Sequence, residues 1–514
     1  MRDLLRLLFE NYQTFLYLAI AAVPAVLYRA RRLPKDQLTA VQRTGWFLLV
    51  AAAALGWGNV LPLAARYWHV PRIAQAAAFC LASALFGLAL GPVCAFILRT
   101  VRKAGESKFF TDKALFFALT AIWGVQLALH LPDTLAGWHT CSYAVSYSMG
   151  FSSRFLLGSV MRLLFGDFVS RKEIFWFCFA VYTVFILLCS ALLNRLYRKT
   201  PQENKPAVLF AIACFAACPG SAAALWNSGN YGKLEVYGLI LSLLGVIAFR
   251  CIRSVPLRYL CITVCACVSI AIYQGYVFLY FTVLAVAMIE DLTNGSAHGS
   301  LRARGACAAL TCLASAVCFF CFQFISTISF GSAEEMLAAL QKHTDAEMDV
   351  KAIRFEYFLP LRDSYALVTN RLQAEFGRQK LFIELLLISP MIFLIAYVCL
   401  RYNRDGRGLR ARCGAFNFSL LTVLFVLPQF VMNVDWGRWM TAVTINFAFI
   451  FAYRLYCGDK KLSEMAADLS VRLRENPLPA VMVILFLNAL RKFAVVDPSS
   501  DVGGVVQLVN HLIK

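Results

Sequence analysis

Apolar and polar residues alternate along this chain on the scale of whole membrane crossings. About 20 helical residues span a bilayer's hydrocarbon, so an uncharged apolar run of 18 or more marks a candidate crossing. Such runs recur at 14–29, 44–66, 73–99, 113–131, 173–194, 206–225, 235–249, 259–273, 276–290, 306–329, 380–400, 414–433, 438–455 and 478–491. The short segments among them set the expectation at 11–14 spans. The pattern predicts an all-α fold, a polytopic transmembrane helical bundle forming one integral membrane domain over 1–514. A membrane barrel would show shorter alternating segments instead.

The polar breaks orient the chain. Every second connection is basic: 29–43, 99–113, 195–205, 250–258, 302–304, 401–412 and 454–474 hold 29 of the 49 Lys and Arg. Short loops rich in Lys and Arg stay in the cytoplasm, which places the N-terminus outside a cytoplasmic membrane. Residues 1–13 read as an interfacial amphipathic helix. They do not begin a cleaved signal peptide, because the cluster 29–32 follows the first apolar run rather than preceding it.

Two outward connections are long, 130–172 and 330–380. Gln126, His130 and Asp133 are spaced four and three apart, on one helical face. His130 and Asp133 are either cavity-facing polar groups or the point where a helix meets water. The stretch 142–168 is interrupted by Gly150, Ser152, Ser153, Arg154, Gly158 and Arg162, which suits an outer amphipathic or re-entrant segment. Arg154 and Arg162, eight apart, can share a helical face. They either snorkel to headgroups or clamp a substrate phosphate, for which the planar guanidinium fork is suited. In the second long loop, Ser332 and Glu335 open a helix with a capping-box pattern, and 354–365 could roof a site.

The shorter outward connections are also polar. Asn227, Asn230, Lys233 and Glu235 fall within nine residues and could bind sugar hydroxyls or simply form an Asn/Gly turn. Gln274 lies in the tight connection 273–276. Asp435 and Arg438 stand between two apolar runs, in 433–439. A spacing of three lets them pair on one helical face, as a staple or as a site in which Arg438 binds phosphate and Asp435 orients it.

Composition narrows the classes. The chain is 60% hydrophobic and 15% charged, with net charge +20 and mean hydropathy +0.66. Soluble proteins carry about 25% charged residues. The charge reads as topology and contact with anionic lipids; no basic soluble domain suits a nucleic acid. Six His and one C-x-x-C pair, Cys318 and Cys321 inside an apolar run, offer no metal site. The lack of a phosphate-binding G-x-x-x-x-G-K-[ST] loop argues against an ATP-driven pump, and no cofactor is expected.

A many-spanned helical chain with an acid after an outward-going helix, an amphipathic outer loop and arginines at the outer edge resembles two known types. One is the GT-C class of polyprenyl-phosphate-sugar glycosyltransferases; the other is the O-antigen and exopolysaccharide polymerases. The resemblance implies a sugar moved from a polyprenyl-(pyro)phosphate carrier to an envelope glycan at the outer face. In that scheme Asp133 or Asp435 is the base, and Arg154, Arg162 and Arg438 hold phosphate. One departure stands: the GT-C class places its acid after the first span, and here Asp133 follows the fourth. The rivals are a transporter or flippase of a lipid-linked sugar, with charges buried along a pathway, and a non-catalytic membrane subunit.

Overall fold

The computed structural model describes residues 108–129, 131–132, 134–218, 220–226, 230–294, 299–359, 361–404, 414–432 and 434–475, with four positions between 480 and 487. The expected spans at 14–29, 44–66 and 73–99, most of 478–491, and the site candidates Asp133 and Asn227 lie outside the described residues, as do His130 and Asn433.

The described chain is all-α apart from one two-residue ladder. In order it forms α1 (Lys108–Leu129), α2 (Gly137–Ala144), β1 (Gly150–Phe151), α3 (Phe155–Phe165), α4 (Arg171–Lys199), α5 (Lys205–Ala217) and α6 (Glu235–Cys251). Then come α7 (Val255–Ile272), α8 (Tyr276–Leu279), α9 (Phe281–Asn294), α10 (Leu301–Phe324), β2 (Thr327–Ile328), α11 (Ala333–Leu340) and α12 (Val350–Ile353). The rest is α13 (Leu361–Gln373), α14 (Glu375–Asn403), α15 (Ala415–Leu421), α16 (Leu427–Met432), α17 (Trp436–Tyr456) and α18 (Lys460–Glu475).

Local chemistry sets the helix starts. Ser170 and Glu173 close a full capping box at α4: the Ser170 hydroxyl accepts from the Glu173 N–H (3.3 Å) and the Glu173 carboxylate from the Ser170 N–H (2.7 Å). At α11, Ser332 accepts from the Glu335 N–H, but Glu335 reaches back to Gly331 (2.9 Å) rather than to Ser332. Pro occupies the first turn of α5 and α7, where its missing N–H has no intrahelical partner to lose.

Among the described residues, five stretches are long and apolar enough to cross a membrane: Arg171–Lys199, Lys205–Leu225, Val255–Ile272, Leu301–Phe324 and Ala415–Met432. A sixth exists if α17 and α18, bent by 100°, count as one. Together they suggest a multi-pass membrane protein. Two expected spans are helical but short: α6 covers 17 residues, and 276–290 breaks at Tyr280 into α8 and the 14-residue α9.

The long helices pack on small residues and hydroxyls. At Gly245 of α6 a Cβ would stand 3.0 Å from Leu284 and 3.3 Å from Cys265, so glycine lets α6, α7 and α9 approach closely. Thr263 and Thr311 join α7 to α10 by a 2.9 Å hydroxyl contact. Trp123, Trp226, Tyr182 and Phe185 are among the side chains buried in the main core.

The two long connections form a cap with its own small core. Cys141, Val145, Met149 and Phe155 from the first pack with Ala333, Met336, Leu340 and Ile353 from the second. The β1–β2 ladder pairs Gly150 with Ile328. Thr140 donates to the Glu347 carbonyl (2.5 Å), and the Arg171 N–H donates to Asp345 (2.6 Å). Gly158 is required here, because any Cβ would fall 1.6 Å from the Val145 carbonyl oxygen.

Candidate functional site

The charged residues gather at the two ends of α17, Arg438 near its start and Arg454 near its finish. Asp435 is the N-cap residue of α17, yet its carboxylate makes no cap hydrogen bond and turns to Arg438 instead. The other amino nitrogen of Arg438 binds Glu235, the first residue of α6. Two acids at two helix N-termini, where the helix dipole favours negative charge, are thus tied by one guanidinium. That guanidinium lies over the Trp439 ring, 4.8 Å from its centroid.

Lys233 approaches the same group from the 230–234 turn. Burial, and then the positive charge of Arg438, push its ammonium down to about 8, against the pull of Asp435, Glu235 and Glu356. Among the described residues it forms no ion pair. Its neighbour Gly232 has φ +92°, and a Cβ there would meet Leu135 at 3.1 Å. The 134–136 segment therefore lies against the Lys233 turn.

A second charged pair completes the cluster. Arg154 binds Glu356 at 2.5 Å, and Trp138 donates its indole N–H to the same carboxylate at 3.1 Å. Arg154 precedes α3 rather than riding on it. Its φ of 75° is the left-handed region, and it is the one described non-glycine residue there. Its N–H donates to Ala271 (2.9 Å), which fixes the inversion. The result turns the guanidinium inward, 5.2 Å from the Tyr273 ring centroid. Burial opposes the Arg154 charge, but Glu356, Tyr273 and Tyr357 outweigh it and raise its pKa.

Tyr273 links the two pairs. Burial and then Glu235 push its phenol up to about 12, while Arg438 and Arg154 pull it down, so both guanidiniums are within its electrostatic reach. Gln274, next along the chain, accepts from the Ser153 hydroxyl at 3.1 Å. Arg154, Lys233, Glu235, Gln274, Asp435 and Arg438, far apart in sequence, thus converge at one end of the bundle beneath the cap.

Other candidates sit apart. Arg162 lies on α3, half-buried, and donates to Ser148 at 3.2 Å rather than turning inward with Arg154. Because α3 starts after Arg154, the two arginines do not share a helix. Asn230 is buried and donates to the Ala224 carbonyl (2.7 Å), while its own carbonyl accepts from Tyr182 (3.2 Å); it locks the turn. Sequence reasoning missed Glu356, Trp138 and Tyr273. The available signal was an acid set among aromatics in RFEYF (354–358), inside the stretch expected to roof a site.

The opposite end of α17 is built differently. Arg454 binds Glu290 and, at 3.2 Å, Asp459. Beside it, one amino nitrogen of Arg258 reaches both oxygens of Asp291 at 2.7 and 2.6 Å; Tyr259 donates to Asp291 (3.0 Å), and Arg304 donates to its carbonyl (2.6 Å).

No group of three or more His, Cys, Asp and Glu is placed to hold a metal among the described residues. Comparison with known proteins finds no match to this chain, whether among family models, curated proteins or solved structures.

Proposed function

We propose that the chain is a membrane glycosyltransferase or polymerase. It takes a sugar from a polyprenyl-(pyro)phosphate carrier at the outer face of the cytoplasmic membrane and places it on an envelope glycan. One observation carries this reading: three cations and three carboxylates from four separated connections meet at one end of an apolar helical bundle. A carrier-linked sugar brings its own leaving group. The protein then needs cations to steady the phosphate and one base to take the acceptor proton. Arg438, Arg154 and Lys233 supply the cations. Asp435, Glu235 and Glu356 are all engaged in ion pairs with arginines. That leaves Asp133, two residues before the Leu135 that touches the Lys233 turn, as first choice for the base. The incoming phosphate displaces Asp435 from Arg438, while Glu235 keeps the guanidinium in place. Trp138 and Tyr273 offer flat apolar faces for a sugar ring.

A second reading, a lipid-linked-sugar transporter, is favoured by the ion pairs at both ends of α17, which could serve as two gates. The test is transfer by the purified chain from polyprenyl-phosphate-linked sugars. Asp133→Asn should lower the rate by roughly 10²–10⁴-fold with normal protein levels. If the wild type transfers nothing yet moves labelled lipid-linked sugar across proteoliposomes, the transporter reading replaces the enzyme.

A further inference from the structure

Outside the proposed site, α4, α5, α6, α14, α17 and α18 line a cavity of about 550 Å³. Its walls are apolar, with Leu192, Phe215, Leu243, Val398, Phe451 and Met465 among them. On α6 the lining runs from Leu239 to Arg250, about 16 Å at 1.5 Å per residue. That is roughly half of a 30 Å hydrocarbon core, the depth reached by the acyl chains of one leaflet.

The mouth is basic. Arg195, Arg250, Arg401 and Arg472 line it, at the end of the bundle remote from Arg438. Arg401 is paired with Asp468. Among the described residues, Arg195, Arg250 and Arg472 have no carboxylate partner. Arg195 and Lys199 instead sit over the Tyr456 ring, at 5.9 and 4.0 Å from its centroid. A second basic recess, with Lys113, Arg198 and Lys199, adjoins through Arg195 and Tyr456. Helix α18 turns 100° from α17, so it lies across this end. Its Leu462, Met465 and Leu469 face the cavity, and Arg472 stands at the rim. An amphipathic basic helix in that pose is a headgroup-level element.

We propose that this cavity is a binding site for an anionic phospholipid. One acyl chain occupies the apolar walls, and the phosphate rests among Arg195, Arg250 and Arg472. The site is separate from the transferase cluster and stands whether or not the chain transfers sugar.

The test measures binding of phosphatidylglycerol and phosphatidylcholine to the purified full chain by native mass spectrometry. Wild type should prefer phosphatidylglycerol. Its affinity should fall roughly fivefold for each arginine charge removed, about a hundredfold in Arg195→Gln/Arg250→Gln/Arg472→Gln. Lys460→Gln, which removes a charge from α18 outside the cavity lining, should keep the preference. Ala448→Trp should fill the wall and lower binding of both lipids. Equal binding of the two lipids by wild type overturns the proposal. So does an unchanged preference in the triple variant, or undiminished binding in a folded Ala448→Trp variant.

Discussion

The two ends of α17 hold the same kind of object, an arginine between two carboxylates, in opposite states. At the far end the Arg454, Glu290 and Asp459 side chains are 6–7% exposed. At the cap end Arg438 is 17% and Asp435 23% exposed, while Glu235 is as buried as the far-end acids at 6%, with Lys233 alongside and an aromatic-lined pair next to it. Burying a charge is tolerable only with close compensation, and the far end supplies it fully. The cap end is more exposed at Arg438 and Asp435 and holds a cation, Lys233, without an ion pair among the described residues. The difference separates a staple from a place where a ligand can compete.

That contrast is sharpest in stability. Arg454→Met leaves Glu290 and Asp459 buried without their cation, and should cost about 3–5 kcal/mol, seen as a collapse in thermal unfolding temperature or membrane yield. Arg438→Met should cost visibly less stability while lowering transfer or phosphate binding. Equal destabilisation by the two would erase the distinction between the ends.

The cap that roofs the site depends on one backbone approach. Gly158→Ala forces α3 away from the Val145 carbonyl, with a loss of about 1–3 kcal/mol or more. Gly166→Ala meets nothing within 4 Å and carries only the strain of its φ of +92°, about 1–2 kcal/mol. Circular dichroism melts of the pair rank the two, and a reversed ranking would contradict the cap geometry.

Lys233 gives the open end a pH signature. Its pKa is lowered from 10.5 to about 8, so it is a cation below pH 8 and neutral above. The unfolded chain holds the extra proton between about 8 and 10.5, so this group makes stability rise with pH in that window. Phosphate binding moves the other way. Affinity for a polyprenyl phosphate should fall by up to about tenfold per pH unit above 8, and Lys233→Arg should flatten the profile. A wild-type profile already flat to pH 10 removes Lys233 from the site.

The smallest effect belongs to the exposed Arg354–Glu334 pair on the cap, whose side chains are 62% and 58% exposed. Glu334→Gln should leave both melting and transfer unchanged, since solvent screens such a pair. A measurable loss would mean that the cap surface takes part in binding.

Much of this was legible from the chain. Apolar run length located the long helices among the described residues, and a spacing of three placed Asp435 and Arg438 as partners. Glu235 lies 203 residues from Arg438, and no local pattern connects them; only the tertiary fold brings the first turns of α6 and α17 within ion-pair reach. Arg154 was read onto the helix face of Arg162 because periodicity assumes a right-handed backbone, and the inversion at Arg154 breaks that assumption. Glu356 was hidden in an aromatic stretch whose role emerges only when two loops 200 residues apart share a core. Short helices such as α8 and α9 read as one span because Tyr280, where the helix breaks, is itself compatible with an apolar run.

The most direct test of the account is an experimental structure of the full chain with polyprenyl monophosphate bound. The account predicts the phosphate within hydrogen-bonding distance of Arg438 and Lys233, with Asp435 displaced and Glu235 still holding the guanidinium. Phosphate found only among Arg195, Arg250 and Arg472, with Arg438 still bound to both carboxylates, would contradict it.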